Sequence, residues 1–406
     1  MIKKASTIAL VVYLLLVLLS PGLVQANSGL AILNNSAQVE FPTNLSFNLS
    51  VESDVNITDI RLHYIVDQMS FAQVTSEVYI EFEPATSVDA NWTWDMRRTG
   101  GLPPGSSVDY WWTVEDANDD SVKTAPIQVQ FDDNRYSWHS VTEDKVTIYW
   151  YEGGESFAQE LMAAAQQALA RLAADTGVEL DKTVKIYIYA STRDLRGSMI
   201  YPQEWTGGVA FTRYGIIAIG IAPGNIHWGK RTIAHELAHV VINQVTFNPY
   251  SDLPTWLDEG LAMYAEGELE PEFASYLNRA VAEGSLLSVR SLSSPFSAYA
   301  EESYLSYAQS YSLVEFLVSS YGQSKMLELL KTFKQGSSYD GALGKVYGFD
   351  MDGLDSLWRD YVAVPEQPVG EKGISPALIG ALAGLVIVLL LVLGLAVKNW
   401  AGRRGR

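Results

Sequence analysis

No cysteine occurs among the 406 residues. Disulfides, thiolate nucleophiles and cysteine-held zinc modules are therefore excluded, and any metal must be held by histidine and carboxylate. Histidine is itself scarce, with five in the chain, and none follows His239. Positive charge is also in short supply: 28 Lys and Arg face 47 Asp and Glu, a formal net charge of −19. Its distribution is uneven, because residues 1–26 and 374–406 hold six of the basic residues and no acidic one. The stretch between them carries 22 basic against 47 acidic residues, a net −25. So acidic a surface repels nucleic acid and anionic lipid, and no nucleic-acid partner is expected.

Two segments lack charge almost entirely. Residues 1–26 have Lys3 and Lys4, an apolar run from Ile8 to Leu19, then Pro21-Gly22 and a small residue at Ala26, which is the pattern of a signal peptide cleaved after Ala26. Residues 374–397 contain no charge and are long enough to cross a bilayer as one helix. Lys398, Arg403, Arg404 and Arg406 follow directly, so residues 398–406 read as a basic cytoplasmic tail. Everything before the span is then extracytoplasmic, in a single-pass type I arrangement. Residues 364–373, with two prolines, form a short linker to the membrane.

Residues 27–135 read as all-β. Alternating runs at Leu45–Val51, Ile60–Val66 and Val108–Val114 are divided by turn clusters such as Gly100-Gly101-Leu102-Pro103-Pro104-Gly105. This spacing predicts a sandwich of immunoglobulin or fibronectin type III kind. His63 lies within one of the runs and reads as a strand residue with a satisfied ring. Nothing in this region points to catalysis.

Helical and strand patterns then alternate. A helix is expected over 156–176, with Ser156 and Gln159 as a capping box and Gly177 as its stop. Strands follow at 184–189, 207–211 and 216–219. After Glu266 the chain reads as helical, at 270–283, 301–320, 324–334 and 351–362, with Gly322, Gly336 and Gly348 as breaks.

Between these halves lies His235-Glu236-Leu237-Ala238-His239. Residues four apart on a helix project about 40° from each other, so the two imidazoles can grip one ion while Glu236 flanks the same face. Ile233, Leu237, Val240 and Val241 form an apolar stripe on the opposite side. A zinc ion held by two neutral imidazoles takes a third protein ligand and leaves a fourth position open in a catalytic site. A ligand lying downstream must be a carboxylate, since no histidine or cysteine remains. Glu259, in Trp256-Leu257-Asp258-Glu259-Gly260, is the candidate; Asp258, about 100° away on the same predicted helix, is its rival. That second helix reads as two-sided, with Leu257, Leu261 and Tyr264 on one side and Trp256, Glu259 and Met263 on the other.

HELAH followed by WLDEGLAMY resembles the gluzincin metallopeptidases, specifically the peptidase MA-like group distantly related to the aminopeptidase N family. The resemblance covers residues 142–363. It implies an α+β, thermolysin-like domain with a helical C-terminal half, one zinc ion on His235, His239 and Glu259, and Glu236 as general base. Tyr307, in Tyr307-Ala308-Gln309-Ser310, matches the tyrosine that stabilises the oxyanion in aminopeptidases; the three residues after it depart from that family's stretch. Nineteen residues separate His239 from Glu259 where the aminopeptidases have 18, a difference a loop at Asn248-Pro249 can absorb. The expected activity is hydrolysis of peptide bonds in a protein or peptide substrate. No Gly-x-Met-Glu-Asn stretch precedes residue 235, so nothing of that kind anchors a free N-terminus, and endopeptidase action is favoured. The alternative is a non-catalytic binding or adhesion ectodomain on a protease-like fold.

Overall fold

The computed structural model describes residues 29–203, 206–297 and 300–363. The expected leader, linker, span and tail lie outside these residues. Among the described residues no helix is long and apolar enough to cross a membrane. The chain divides into two compact units, one ending at Asp355 and one starting at Ser356.

The first seven strands are β1 (Ala31–Glu40), β2 (Asn44–Val66), β3 (Ser76–Tyr79), β4 (Ala85–Asp95), β5 (Ser106–Asp116), β6 (Ser121–Lys123) and β7 (Ile127–Phe131), all paired antiparallel. The β-rich character expected for this region is present, but its hydrogen bonding makes one sheet where a sandwich would have two. The reason is β2. Leu45–Val51 and Ile60–Val66 belong to one strand of 23 residues, because Glu52-Ser53-Asp54-Val55-Asn56 stays extended instead of turning. Register shifts there let the first half of β2 pair with β1 and β4 and the second half with β3 and β5. The sheet folds over so that its halves pack face to face: Phe47 from the first half meets Tyr110 of β5 edge-on, with ring centroids 4.8 Å apart. Leu45, Phe47, Leu49, Ile60, Leu62 and Trp112 are buried between the halves, each large apolar side chain contributing about 1.5–3 kcal/mol by leaving water. His63 is the satisfied strand residue expected, its Nε2 2.9 Å from Thr113 Oγ1 and its ring stacked on Trp111.

A second, five-stranded sheet follows in the order β11-β12-β10-β9-β8, with β8 (His139–Glu143), β9 (Val146–Trp150), β10 (Val184–Tyr189), β11 (Gly208–Phe211) and β12 (Ile216–Gly220). Strands β9, β10 and β12 are parallel, and both edges run antiparallel. Helix α1 (Glu155–Thr176) crosses from β9 to β10, and the short α2 (Thr192–Arg196) follows β10. Gly177 stops α1 in the left-handed conformation as expected, at φ 71°. The capping box does not form. The N-cap is Gly154, without a side-chain bond, and Gln159 instead donates to Glu155 within the first turn.

The remaining helices are α3 (Ile226–Thr246), α4 (Thr255–Glu266), α5 (Pro271–Glu283), α6 (Ala300–Tyr321), α7 (Gln323–Lys334), α8 (Tyr339–Tyr347) and α9 (Met351–Ala363). The two sheets meet over a specific seam. Lys185 Nζ donates to the Gly105 carbonyl at 2.9 Å, the Met69 amide donates to the Arg213 carbonyl at 2.7 Å, and Ile200 and Tyr214 pack against the core of the first sheet. At the joint, the buried Asp133 carboxylate accepts from Arg135 at 2.6 Å and from Tyr189 Oη at 3.0 Å.

Candidate metal centre

Helix α3 places His235, Glu236 and His239 because its back is apolar. Ile233, Leu237, Val240 and Val241 are all fully buried, so the histidine face must turn toward α4 and the open cavity. The chain turns between the helices on Asn248, whose Oδ1 accepts from the amides of Tyr250 and Ser251 while its Nδ2 donates to the carbonyls of Thr246 and Ser251. Helix α4 departs from its two-sided reading. Trp256, Leu257, Gly260, Leu261, Ala262, Met263 and Ala265 are all buried, so it runs through the interior and only a narrow face carries its acids.

Those acids meet the two histidines. Glu259 Oε2 lies 3.4 Å from His235 Nε2 and 3.7 Å from His239 Nε2. The other ring nitrogens are taken: His235 Nδ1 is 2.8 Å from Glu266 Oε1, and His239 Nδ1 is 3.2 Å from Asp258 Oδ2. Glu266 is fixed from behind by Arg231, whose guanidinium reaches Glu266 Oε2 at 2.9 Å and Glu270 Oε1 at 3.1 Å. Each imidazole is thus oriented by a carboxylate at Nδ1 and offers Nε2 to the same point.

The residues fit a metal ion. Glu259 Oε2 is buried with no hydrogen-bond partner, and at 3.4 Å its contact with His235 is too long for a charge-assisted bond. Two ligands of a tetrahedral zinc, with bonds of about 2.0–2.1 Å, stand about 3.3 Å apart. His235, His239 and Glu259 form a group whose ligand atoms all lie within 4.8 Å of one another. The electrostatics point the same way. Burial opposes charge on both rings, but Glu259 and Glu266 hold His235 well above the usual imidazole range, and Asp258 holds His239 up to about 9. Burial likewise opposes charge on Glu259, which the histidines nevertheless keep below the usual range. The pocket is built to hold positive charge.

Glu236 faces a cavity of about 630 Å³, lined also by β11, Asn243, Phe247, Asp252 and Tyr307. It has no hydrogen-bond partner among the described residues, and burial raises its pKa above that of an ordinary glutamate. A side chain at Gly208 of β11 would strike Glu236 Oε1 at 2.8 Å, so the glycine is what lets the edge strand pass beside this carboxylate. Tyr307 reaches the same cavity from α6. Its ring is held edge-on by Phe296 at 5.2 Å and by Phe273 at 6.5 Å, and burial together with Glu259 and Glu236 raises its pKa. Helix α6 comes this close because residue 260 has no side chain: a Cβ there would press into the Ser310 carbonyl oxygen and lie 2.7 Å from Val314 Cγ2. Gln309, fully buried, accepts from the Leu287 amide at 2.9 Å and donates to its carbonyl at 3.1 Å, which pins the segment after α5 to α6.

All five residues singled out in the sequence line one cavity. Glu266 was missed; Asp258, read as the rival ligand or else a partner orienting a histidine, takes the second part and orients His239. The signal for Glu266 was present, since Glu259 and Glu266 are seven apart and project about 20° from each other on a helix.

Residues 164–364 match the family model of the Peptidase MA superfamily. No curated protein matches the chain. Among solved structures, an M1 zinc metallopeptidase from Deinococcus radiodurans is 13% identical over 81% of this chain and 94% of its own, with a TM-score of 0.35. Legionella pneumophila aminopeptidase A is 11% identical over 82% of this chain and 50% of its own, with a TM-score of 0.37.

Proposed function

We propose that this chain, whose residues 164–364 match the family model of the Peptidase MA superfamily, is a gluzincin that hydrolyses peptide bonds with one zinc ion held by His235, His239 and Glu259. The observation that carries this reading is the convergence of two imidazole Nε2 atoms and an unpartnered Glu259 oxygen, with both Nδ1 atoms tied off by carboxylates. Zinc bound there would supply Lewis acidity, acidifying water and polarising a carbonyl.

The chain's own groups divide the remaining work. Glu236, raised in pKa by burial, takes a proton from the attacking water and returns it to the leaving amine. The Tyr307 hydroxyl, on the far wall of the cavity, donates to the oxyanion as it develops. Strand β11 is an edge of its sheet, so an extended peptide can add beside it by main-chain pairing, with Gly208 leaving room next to Glu236. Pairing of this kind holds a peptide along its length, which favours cleavage within a chain over removal of a terminal residue.

The location belongs to the same proposal: a leader at 1–26, a span at 374–397 and an extracytoplasmic catalytic domain. An epitope at Arg406 reached on intact cells would overturn that topology. The catalytic reading is tested by digesting a peptide library with the purified protein, beside Glu236→Gln and with zinc measured in both. Zinc with no cleavage in the wild type would leave a binding ectodomain on a protease-like fold. Cleavage equal in Glu236→Gln would remove Glu236 from the role given to it.

A further inference from the structure

The first sheet holds an open groove of about 440 Å³ that the catalytic reading does not use. Its floor is aromatic. Trp92 stacks on the buried Phe47 at 5.9 Å and on Tyr64 at 5.7 Å, and Trp94 tilts against Tyr64 at 5.0 Å. Trp92 and Trp94 are two apart on β4 and share a face, while Tyr64 comes from the second half of β2. All three rings are only half-buried. The Trp94 indole is held in place by its Nε1–H donating to Thr99 Oγ1 at 3.0 Å.

The walls are of a different chemistry. Asn44, whose Nδ2 donates to Glu40 at 2.9 Å, offers its amide oxygen, Arg97 and Asp95 form a two-bond fork at 2.8 and 2.9 Å, and Arg98 lies exposed at the rim, where its charge also acts on Asp95. No aliphatic side chain lines the groove among the described residues. A groove made for an apolar peptide segment or an acyl chain would present leucine, isoleucine, valine or methionine. Ring faces bordered by planar donors and acceptors suit a ligand with apolar C–H faces and a rim of hydroxyls.

We infer that this groove binds an oligosaccharide, with sugar rings lying on Trp92 and Trp94 and hydroxyl groups bonded by Asn44, Asp95 and the two arginines. The site is separate from the cavity between α3 and α4, and its ligand is recognised whether or not the chain cleaves peptides. Arg98, exposed beside the fork of Arg97 and Asp95, adds a second positive charge to the rim and gives sugars carrying a carboxylate an advantage over neutral ones.

The test presents the full-length protein, in a detergent without a sugar headgroup, to an array of defined neutral and uronate-bearing oligosaccharides. The strongest binder is then titrated in solution by tryptophan fluorescence. At least one sugar binds; Trp94→Ala weakens it about tenfold, the loss of a well-placed aromatic face. Trp94→Phe recovers part of the affinity, and Arg98→Ala, which removes an exposed side chain that makes no hydrogen bond among the described residues, weakens it several-fold. The inference is overturned if no sugar on the array binds, or if the binder is held undiminished by both Trp94→Ala and Arg98→Ala. A peptide or lipid vesicle that binds in place of every sugar, and is lost in those variants, overturns it equally.

Discussion

Replacing Gly260 by alanine adds one methyl group at the crossing of α4 and α6. It would press into the Ser310 carbonyl oxygen and stand 2.7 Å from Val314 Cγ2 and 2.9 Å from the Ser310 carbonyl carbon. Restoring carbon contacts to about 3.5 Å requires the helices to part by about 0.6–0.8 Å. Two of these three atoms are backbone, so no side-chain rotation relieves the clash. Overpacking of this sort costs about 1–3 kcal/mol, which for a chain of this size lowers the melting temperature by about 1.5–4 °C. The functional loss exceeds the stability loss, because Glu259 precedes the substituted residue directly and Tyr307 lies one turn before Ser310. A shift approaching 1 Å between them costs about a hundredfold in turnover. Thermal melts, zinc content and peptide hydrolysis are measured on the same preparation. Zinc is retained while turnover falls. A Gly260→Ala protein that melts within about one degree of wild type and keeps its turnover would refute the argument that this glycine sets the distance between the two walls of the site.

Other variants separate the roles at the centre. Glu259→Ala loses zinc, whereas Glu236→Gln keeps zinc and loses hydrolysis; metal analysis beside a peptide assay distinguishes them. Asp258→Asn and Glu266→Gln keep all three ligands but release His239 and His235, so each weakens zinc binding by about 10–100-fold in competition with a chelator. Tyr307→Phe keeps zinc and lowers turnover by about 10²–10³-fold with little change in KM. Gln309→Leu removes the two hydrogen bonds between Gln309 and the Leu287 backbone and lowers stability by about 1–3 kcal/mol in a urea titration, while zinc content is unchanged.

The centre was legible in the sequence where its parts lie close along one helix. His235, Glu236 and His239 fall within five residues, and their apolar back is written in Ile233, Leu237, Val240 and Val241. Glu259 was reached because a chain without cysteine and without histidine beyond 239 leaves only carboxylates. Glu266 was harder to see: an acid in the last turn of a helix reads as a solvated end, and its partner lies 31 residues earlier on another helix. In the first sheet the polar run Glu52–Asn56 carries the residue types of a turn. Bonds to the end of β5 hold it extended, with Ser53 donating to Asp116 at 2.8 Å and Asn56 accepting from the Ala117 amide. Helix α8 was passed over because Tyr339-Asp340-Gly341-Ala342-Leu343-Gly344 holds two glycines, each costing about 1 kcal/mol in a helix; Ser338 caps it at its N-terminus nonetheless.

Among the described residues, the groups bonded to the two imidazoles, and the arginine behind them, lie between Arg231 and Glu270, on α3, on α4 or just beyond it. The centre therefore needs little of the rest of the chain in order to assemble, and only a short loop must close before its ligands can meet. An ion held there would cross-link two helices joined otherwise only by the loop between them, in a chain with no cysteine to form a disulfide. Its binding energy would then serve as folding energy: saturating zinc at a thousand times its Kd adds about 4 kcal/mol to the stability of the helix pair. Starving the protein of metal would loosen α3 from α4 before it disturbed either sheet, and amide exchange along those two helices would register the difference.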